Sequence, residues 1–174
     1  MSGFNPMPNP KLAAEMPEAY TNMGLTAENL AALYEIERET QETFAVESHL
    51  KAANTDFTDV IIPITTADGV VSSDGCIRPN SNVSSLARLG PAFKADGSVT
   101  AGTSSPLTDG AAFVLVCSEK FALEQGLKIL ASIESTAVSG CSPEIMGIGP
   151  VAASQKALAR AGVRLEDIDV IELN

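Results

Sequence analysis

The sequence predicts an α/β protein, with strands and helices alternating in layers after residue 110 and an irregular, mostly helical stretch with one hairpin before it. Three observations lead there. Ala112-Phe113-Val114-Leu115-Val116-Cys117 is an almost continuous apolar run, the pattern of a central strand covered on both faces. Pro150 and Gly162 bracket a helical repeat of Val151, Ser154, Leu158 and Ala161; proline suits a first helical position and glycine the residue past the last turn. Val60-Ile61-Ile62-Pro63-Ile64 is β-branched, and Ala67-Asp68-Gly69 before Val70-Val71 supplies the turn of a hairpin.

Taken in order, residues 1–24 have four prolines in the first seventeen positions and read as loop, with a short helix at 11–15. Thr26 is placed to cap a helix carrying Leu30, Leu33, Tyr34 and Ile36, with Glu28 near the positive end of its dipole. A second helix is expected from Glu39 to Ala53, and the acidic stretch Glu35, Glu37, Glu39 and Glu42 reads as an exposed face. Pro63 restricts its strand to a sheet edge. Ser84 to Leu89 reads as a short helix, and Ser118 caps another through Glu124 that Gly126 ends. Lys128 to Ser139 is expected as a long strand, and Arg164 to Asp167 turns into a last one at 168–173. The chain stops there, on Asn174, and reads as a fragment.

The 174 residues, 45% apolar, suffice for one domain core or for parts of two. A net charge of −11 repels phosphates at long range. Nucleic acid is therefore not an expected partner, and an anionic ligand must be held by local donors. No apolar run reaches the ~18 residues of a membrane span, and the start lacks the basic and apolar regions of a signal peptide. The expectation is a protein that is not secreted, cytoplasmic or delivered to an organelle after removal of upstream sequence. Cys76, Cys117 and Cys141 form no C-x-x-C pair and His49 is the single histidine, which fits a reducing compartment and no metal site.

Three small-residue loops carry the candidate chemistry. Ala101-Gly102-Thr103-Ser104-Ser105 offers hydroxyls and backbone N–H groups to a polar ligand, although such clusters also form ordinary turns. Gly147-Ile148-Gly149-Pro150 opens a helix whose free N–H groups suit an anion or oxyanion, without the lysine of a phosphate-binding loop. Ser139-Gly140-Cys141-Ser142-Pro143 places a thiol on a turn, but the histidine base that such a nucleophile needs is far away in a helix, so Cys141 reads as structural. His49 itself reads as solvated or cap-bonded.

In order along the chain, these and further blocks resemble the thiolases. The blocks are Asn22-Met23-Gly24-Leu25-Thr26-Ala27-Glu28-Asn29, Arg38-Glu39-Thr40-Gln41, Ser48-His49-Leu50-Lys51-Ala52, Ile77-Arg78-Pro79, Leu86-Ala87-Arg88-Leu89 with Pro91-Ala92-Phe93, and the segments 100–112, 146–151 and 168–174. The wording of residues 101–105 is closer to the degradative 3-ketoacyl-CoA thiolases of fatty-acid β-oxidation than to the biosynthetic acetoacetyl-CoA branch.

The resemblance implies a partial thiolase-like layered αβαβα fold. Residues 1–107 would be mainly the loop domain that covers coenzyme A, 108–126 the last strand and helix of the N-terminal domain, and 127–174 the start of the C-terminal domain. It implies contacts to coenzyme A from Arg78, Ser85, Leu89, Phe93, Ala101 and Ser105, and an acyl or pantetheine lining from Met23 and Met146. Asn174 would position a water in an oxyanion hole. Coenzyme A and acyl-CoA are then substrates, with no covalently bound cofactor. The parent would be a homodimer or homotetramer, with a β-oxidation partner subunit among the options. The family's nucleophilic cysteine would lie upstream of Met1, itself similar to an internal methionine, and its histidine base and second cysteine downstream of Asn174. The isolated chain is therefore expected to be inactive.

Three positions depart from the family pattern: Glu37 where a Ser or Thr cap is common, Asp74-Gly75-Cys76 where an Asp-Glu pair precedes Ile-Arg-Pro, and Asn22 where many biosynthetic members have histidine. Alternatives are an acetoacetyl-CoA thiolase, a β-ketoacyl synthase relative, and a non-catalytic acyl-CoA or lipid-binding module or split subunit. Leu173-Asn174 favours a thiolase over the His-Gly-Thr ending of a synthase.

Overall fold

The computed structural model describes residues 7–174. The reading of Met1 and the first six residues of the N-terminal loop lie outside them. The chain divides into two compact units, one of residues 1–107 with 143–145 and the other of residues 108–142 with 146–174.

In the first unit, Asn9 caps α1 (Pro10–Glu15) by accepting from the Lys11 and Leu12 amides. Helix α2 (Met23–Leu33) starts four residues earlier than a Thr26 cap would allow, because Asn22 is the cap and accepts from the Gly24 amide. Thr26 instead lies buried inside α2 and donates its hydroxyl to the Met23 carbonyl. Glu35 ends the helix at φ 52°, the left-handed region, and the Ile36 amide closes back on the Ala31 carbonyl at 2.8 Å. Helix α3 (Arg38–Ala53) follows, with Glu37 at its cap position making no side-chain capping bond.

The hairpin forms, but Pro63 stays outside it. β1 (Ile64–Thr66) pairs antiparallel with β2 (Gly69–Val71), Thr66 opposite Gly69. Gly69 takes φ +128°, a conformation that side chains disfavour. Of the short helix expected at 84–89, only α4 (Val83–Leu86) is α-helical; Asn82 caps it by accepting from the Ser85 amide. Residues 101–103 make a single 3₁₀ turn capped by Thr100. Helix α3 packs against both α4 and this turn.

In the second unit, Ser118 caps α5 (Glu119–Glu124), and Gly126 closes it at φ +63°. α6 (Gly149–Ala161) has Pro150 in its first turn and Gly162 beyond its end at φ +70°. No strand forms at 112–117, 128–139 or 168–173, in contrast to the sequence reading. Strand pairing is a non-local bond, and no described residue supplies a neighbouring ladder to these runs. Phe113 is accordingly 95% exposed. Residues 135–139 lie along α6 instead, held by hydrogen bonds from Ser135 Oγ to the Ala157 carbonyl, Ser139 Oγ to the Gly149 carbonyl and Arg160 to the Thr136 carbonyl.

Glycine relieves the left-handed strain that an L side chain carries at Glu35. Glu35→Gly is expected to stabilise the chain by about 0.5–1 kcal/mol, read as a raised urea midpoint with unchanged slope.

Candidate functional site

Segment 78–105 carries six of the residues expected to meet a ligand, and it has little regular structure of its own. Its backbone groups must therefore find partners elsewhere. Side chains of α2 and α3 provide them at three points.

Arg38, at the start of α3, donates from Nη2 to the carbonyls of Leu86 at 3.1 Å, Ala87 at 3.3 Å and Leu89 at 2.7 Å. They lie at the C-terminal end of the one-turn helix α4, where helix carbonyls run short of donors; the Leu86 carbonyl also accepts the Leu89 amide at 2.9 Å. Its Nε bonds Glu42 Oε1 at 2.6 Å, one helical turn along. Glu42 is 2% exposed, not part of an exposed acidic face. Its buried charge is neutralised by the guanidinium, and the i,i+4 spacing aims the two at each other.

His49, one face further along α3, accepts the backbone N–H of Arg78 on Nδ1 at 3.2 Å. It is neither free in solvent nor capping its own helix. Glu28, on α2, is 7% exposed and accepts the amides of Ser98 on Oε2 at 3.0 Å and Val99 on Oε1 at 2.9 Å. Gln41 of α3 joins by donating to Ser98 Oγ at 2.9 Å.

With the backbone held, the expected contact residues gather. The Val99 carbonyl accepts the Ala92 amide at 2.9 Å, and Pro91 pairs with Thr100, so 91–93 and 98–100 run side by side. The Phe93 ring lies against Gly24, where a β-carbon would fall 2.2 Å from it; glycine is required for that approach, and Met23 is its neighbour. Gly102 likewise faces Leu86 and Leu89 with no room for a side chain, which brings Leu89 to the 101–103 turn. Thr100 is fully buried: Gly102 donates to its Oγ1 at 3.2 Å and Ser104 Oγ donates to its carbonyl at 2.8 Å. Ala101 and Ser105, on either side, are exposed, and so are Leu89 and Phe93 in part. Ser85 Oγ donates to the Asn82 carbonyl at 2.7 Å, leaving oxygen lone-pair capacity for an incoming N–H. Arg78 and Met23 are exposed.

Met146 and Asn174 belong to the second unit, and both are exposed. Cys141 is there too, its thiol directed at the Met146 carbonyl at 3.6 Å. The surface of the first unit can therefore present an apolar ring, two hydroxyls, backbone amides and a cation to an extended ligand. Sequence reasoning missed its supports, Glu28, Arg38, Glu42 and His49. The available signal was the i,i+4 pairing of Arg38 with Glu42; the Glu28 and His49 partners are distant in sequence.

The family profile described as "Thiolase, N-terminal domain" matches residues 10–120, and "Thiolase, C-terminal domain" matches 127–174. The chain is 48% identical to the 3-ketoacyl-CoA thiolase of Pseudoalteromonas translucida (strain TAC 125) over 95% of its own length and 45% of the relative's. It is 49% identical to that of Serratia proteamaculans (strain 568), over 95% and 46%. Among solved structures, the dimeric peroxisomal thiolase of Saccharomyces cerevisiae superposes with a TM-score of 0.88 at 36% identity, covering 95% of this chain and 45% of that one. The Bacillus anthracis acetyl-CoA acetyltransferase gives 0.76 at 45% identity, covering 85% and 40%. The chain spans a little under half the length of these curated relatives.

Two substitutions test the supports. Arg38→Met removes the donors to three carbonyls and strands the Glu42 charge; a loss of about 3 kcal/mol in urea unfolding is expected, since one partner of a buried pair is removed. His49→Leu is expected to speed amide exchange at Arg78 by roughly fivefold, the loss of one ordinary hydrogen bond.

Proposed function

Because the chain belongs to the thiolase family, we propose that it is the coenzyme A-covering part of a 3-ketoacyl-CoA thiolase, joined to pieces of the two catalytic domains. One observation carries this reading: Leu89 packs at the 101–103 turn and the segment bearing Phe93 pairs with the residues that lead into it, with α2 against the Phe93 ring and α3 against the turn. The boundary between compact units after Leu107 supports a loop domain of residues 1–107. The gap between the two family matches, at 121–126, supports a further division of the remainder into 108–126 and 127–174. The thiolase profiles set aside the synthase alternative.

In the proposed reaction a 3-ketoacyl-CoA and coenzyme A give acetyl-CoA and a shortened acyl-CoA. A cysteine thiolate attacks the 3-keto carbon, the enolate of acetyl-CoA departs, and coenzyme A resolves the thioester. This chain's residues bind and polarise. Phe93 and Arg78 serve the nucleotide end, Ser85 and the 101–105 turn the amides of pantetheine, Met23 and Met146 the flexible apolar end, and Asn174 an oxyanion-hole water. The net charge of −11 makes such local donors necessary, because the molecule as a whole repels the phosphates of coenzyme A.

An acetyl-CoA acetyltransferase is the second reading, favoured by 45% identity to the B. anthracis protein. The 3-ketoacyl-CoA thiolases, at 47–49% over more of the chain, favour the first.

Isothermal titration of the monodisperse chain with coenzyme A, with desulfo-coenzyme A as the thiol-free control, tests the binding role. Saturable binding to both ligands is expected. Arg78→Ala should weaken it about tenfold and Ser105→Ala about fivefold, the sizes of a charged and a neutral hydrogen bond. A folded chain that does not bind would overturn the reading.

A further inference from the structure

Glu28 is a carboxylate with no direct part in the ligand surface, yet it is almost wholly withdrawn from water. Such a charge is costly unless donors meet it, and here each oxygen takes one amide, Ser98 on Oε2 and Val99 on Oε1. The approach is close. A β-carbon at Gly97 would lie 2.1 Å from Glu28 Oε1, so the chain passes the carboxylate only because residue 97 is glycine.

Gly24 and Glu28 are four apart on α2 and therefore share a face. Gly24 takes the Phe93 ring and Glu28 takes the 98–99 amides, while 91–93 and 98–100 are hydrogen-bonded to each other. One helix face thus holds both arms of the 91–100 excursion. From Val99 the chain enters Thr100, whose hydroxyl and carbonyl organise residues 102–104.

We infer that Glu28 is a positioning residue for coenzyme A: it fixes the 98–100 backbone, and through Thr100 it sets the conformation in which the Ala101–Ser105 turn meets the pantetheine. The inference rests on the coenzyme A reading proposed above. A carboxylate does this where an amide or a shorter acid would not. Glu28→Gln turns an NH₂ donor toward one of the two amide donors, and Glu28→Asp withdraws the acceptors by one methylene.

The test combines titration of coenzyme A with amide hydrogen exchange over residues 98–105, in the wild-type chain, Glu28→Gln, Glu28→Asp and Gly97→Ala. Gly97→Ala keeps the charge and displaces it, so it serves where Glu28→Gln fails to fold. The expected result is faster exchange at Ser98, Val99 and Gly102, with Kd raised about tenfold or more in each folded variant, Glu28→Asp least affected. A purely structural Glu28 would lower the urea midpoint and leave the Kd of the folded fraction unchanged, which overturns the inference while leaving the binding reading intact. Absence of binding by the folded wild type would overturn both. Wild-type exchange rates at 98–105 in every folded variant would overturn the inference alone.

Discussion

A guanidinium bonded to three carbonyls within four residues, 86–89, is the interaction on which the first unit depends. Backbone that is neither helix nor sheet still has to satisfy its polar groups, and water does this only where the chain is exposed. Arg38 meets the Leu86, Ala87 and Leu89 carbonyls at the exit of the one-turn helix α4, where the Leu89 amide is bonded to the Leu86 carbonyl. Glu42 fixes the guanidinium from its other side and is itself buried by it. Charged hydrogen bonds of this kind are worth about 1.5–3 kcal/mol apiece, enough to hold an irregular segment that makes few apolar contacts. Apolar burial here is slight: Leu86 and Val99 are the buried hydrophobic side chains of the unit among the described residues.

The same logic extends along α2 and α3. Arg38, Gln41, Glu42 and His49 project from α3, and Gly24 and Glu28 from α2. Between them they touch loop backbone at residues 78, 86–89 and 98–99, and receive the ring at 93. The residues expected to meet coenzyme A lie on or beside these anchored stretches, Phe93 and Leu89 packed on one side against Gly24 and Gly102 and still partly exposed. Rigid helices set the frame and loops display the groups, the usual division of labour in binding sites.

What the sequence made legible follows the range of each interaction. Caps are local, so α5 behind Ser118 and α6 between Pro150 and Gly162 are found where their residues predict them. Asn22 displaced Thr26 as a cap because both are competent and only burial of the Thr26 hydroxyl, a tertiary effect, separates them. The apolar run 112–117 is legible as a segment that needs covering, but a strand exists only with its ladder, and that bond is made with residues distant in sequence. The site divides in the same way. The 101–105 turn stands out by composition, whereas Glu28 reaches amides seventy and seventy-one positions on, and no spacing in a single sequence announces that.

On the loop Arg38 reads main-chain carbonyls alone, and this has a consequence for how such a surface can be altered. Carbonyls are the same whatever residue bears them, so exposed Ala87 can change identity without breaking the clamp, and Leu86 and Leu89 are constrained by their packing on Gly102 and not by Arg38. Specificity and framework are thereby stored in separate residues. A designer, or natural selection, can rewrite what the loop offers to an acyl chain or a nucleotide while the scaffold stays constant, which is the property wanted of a template for new ligand preferences.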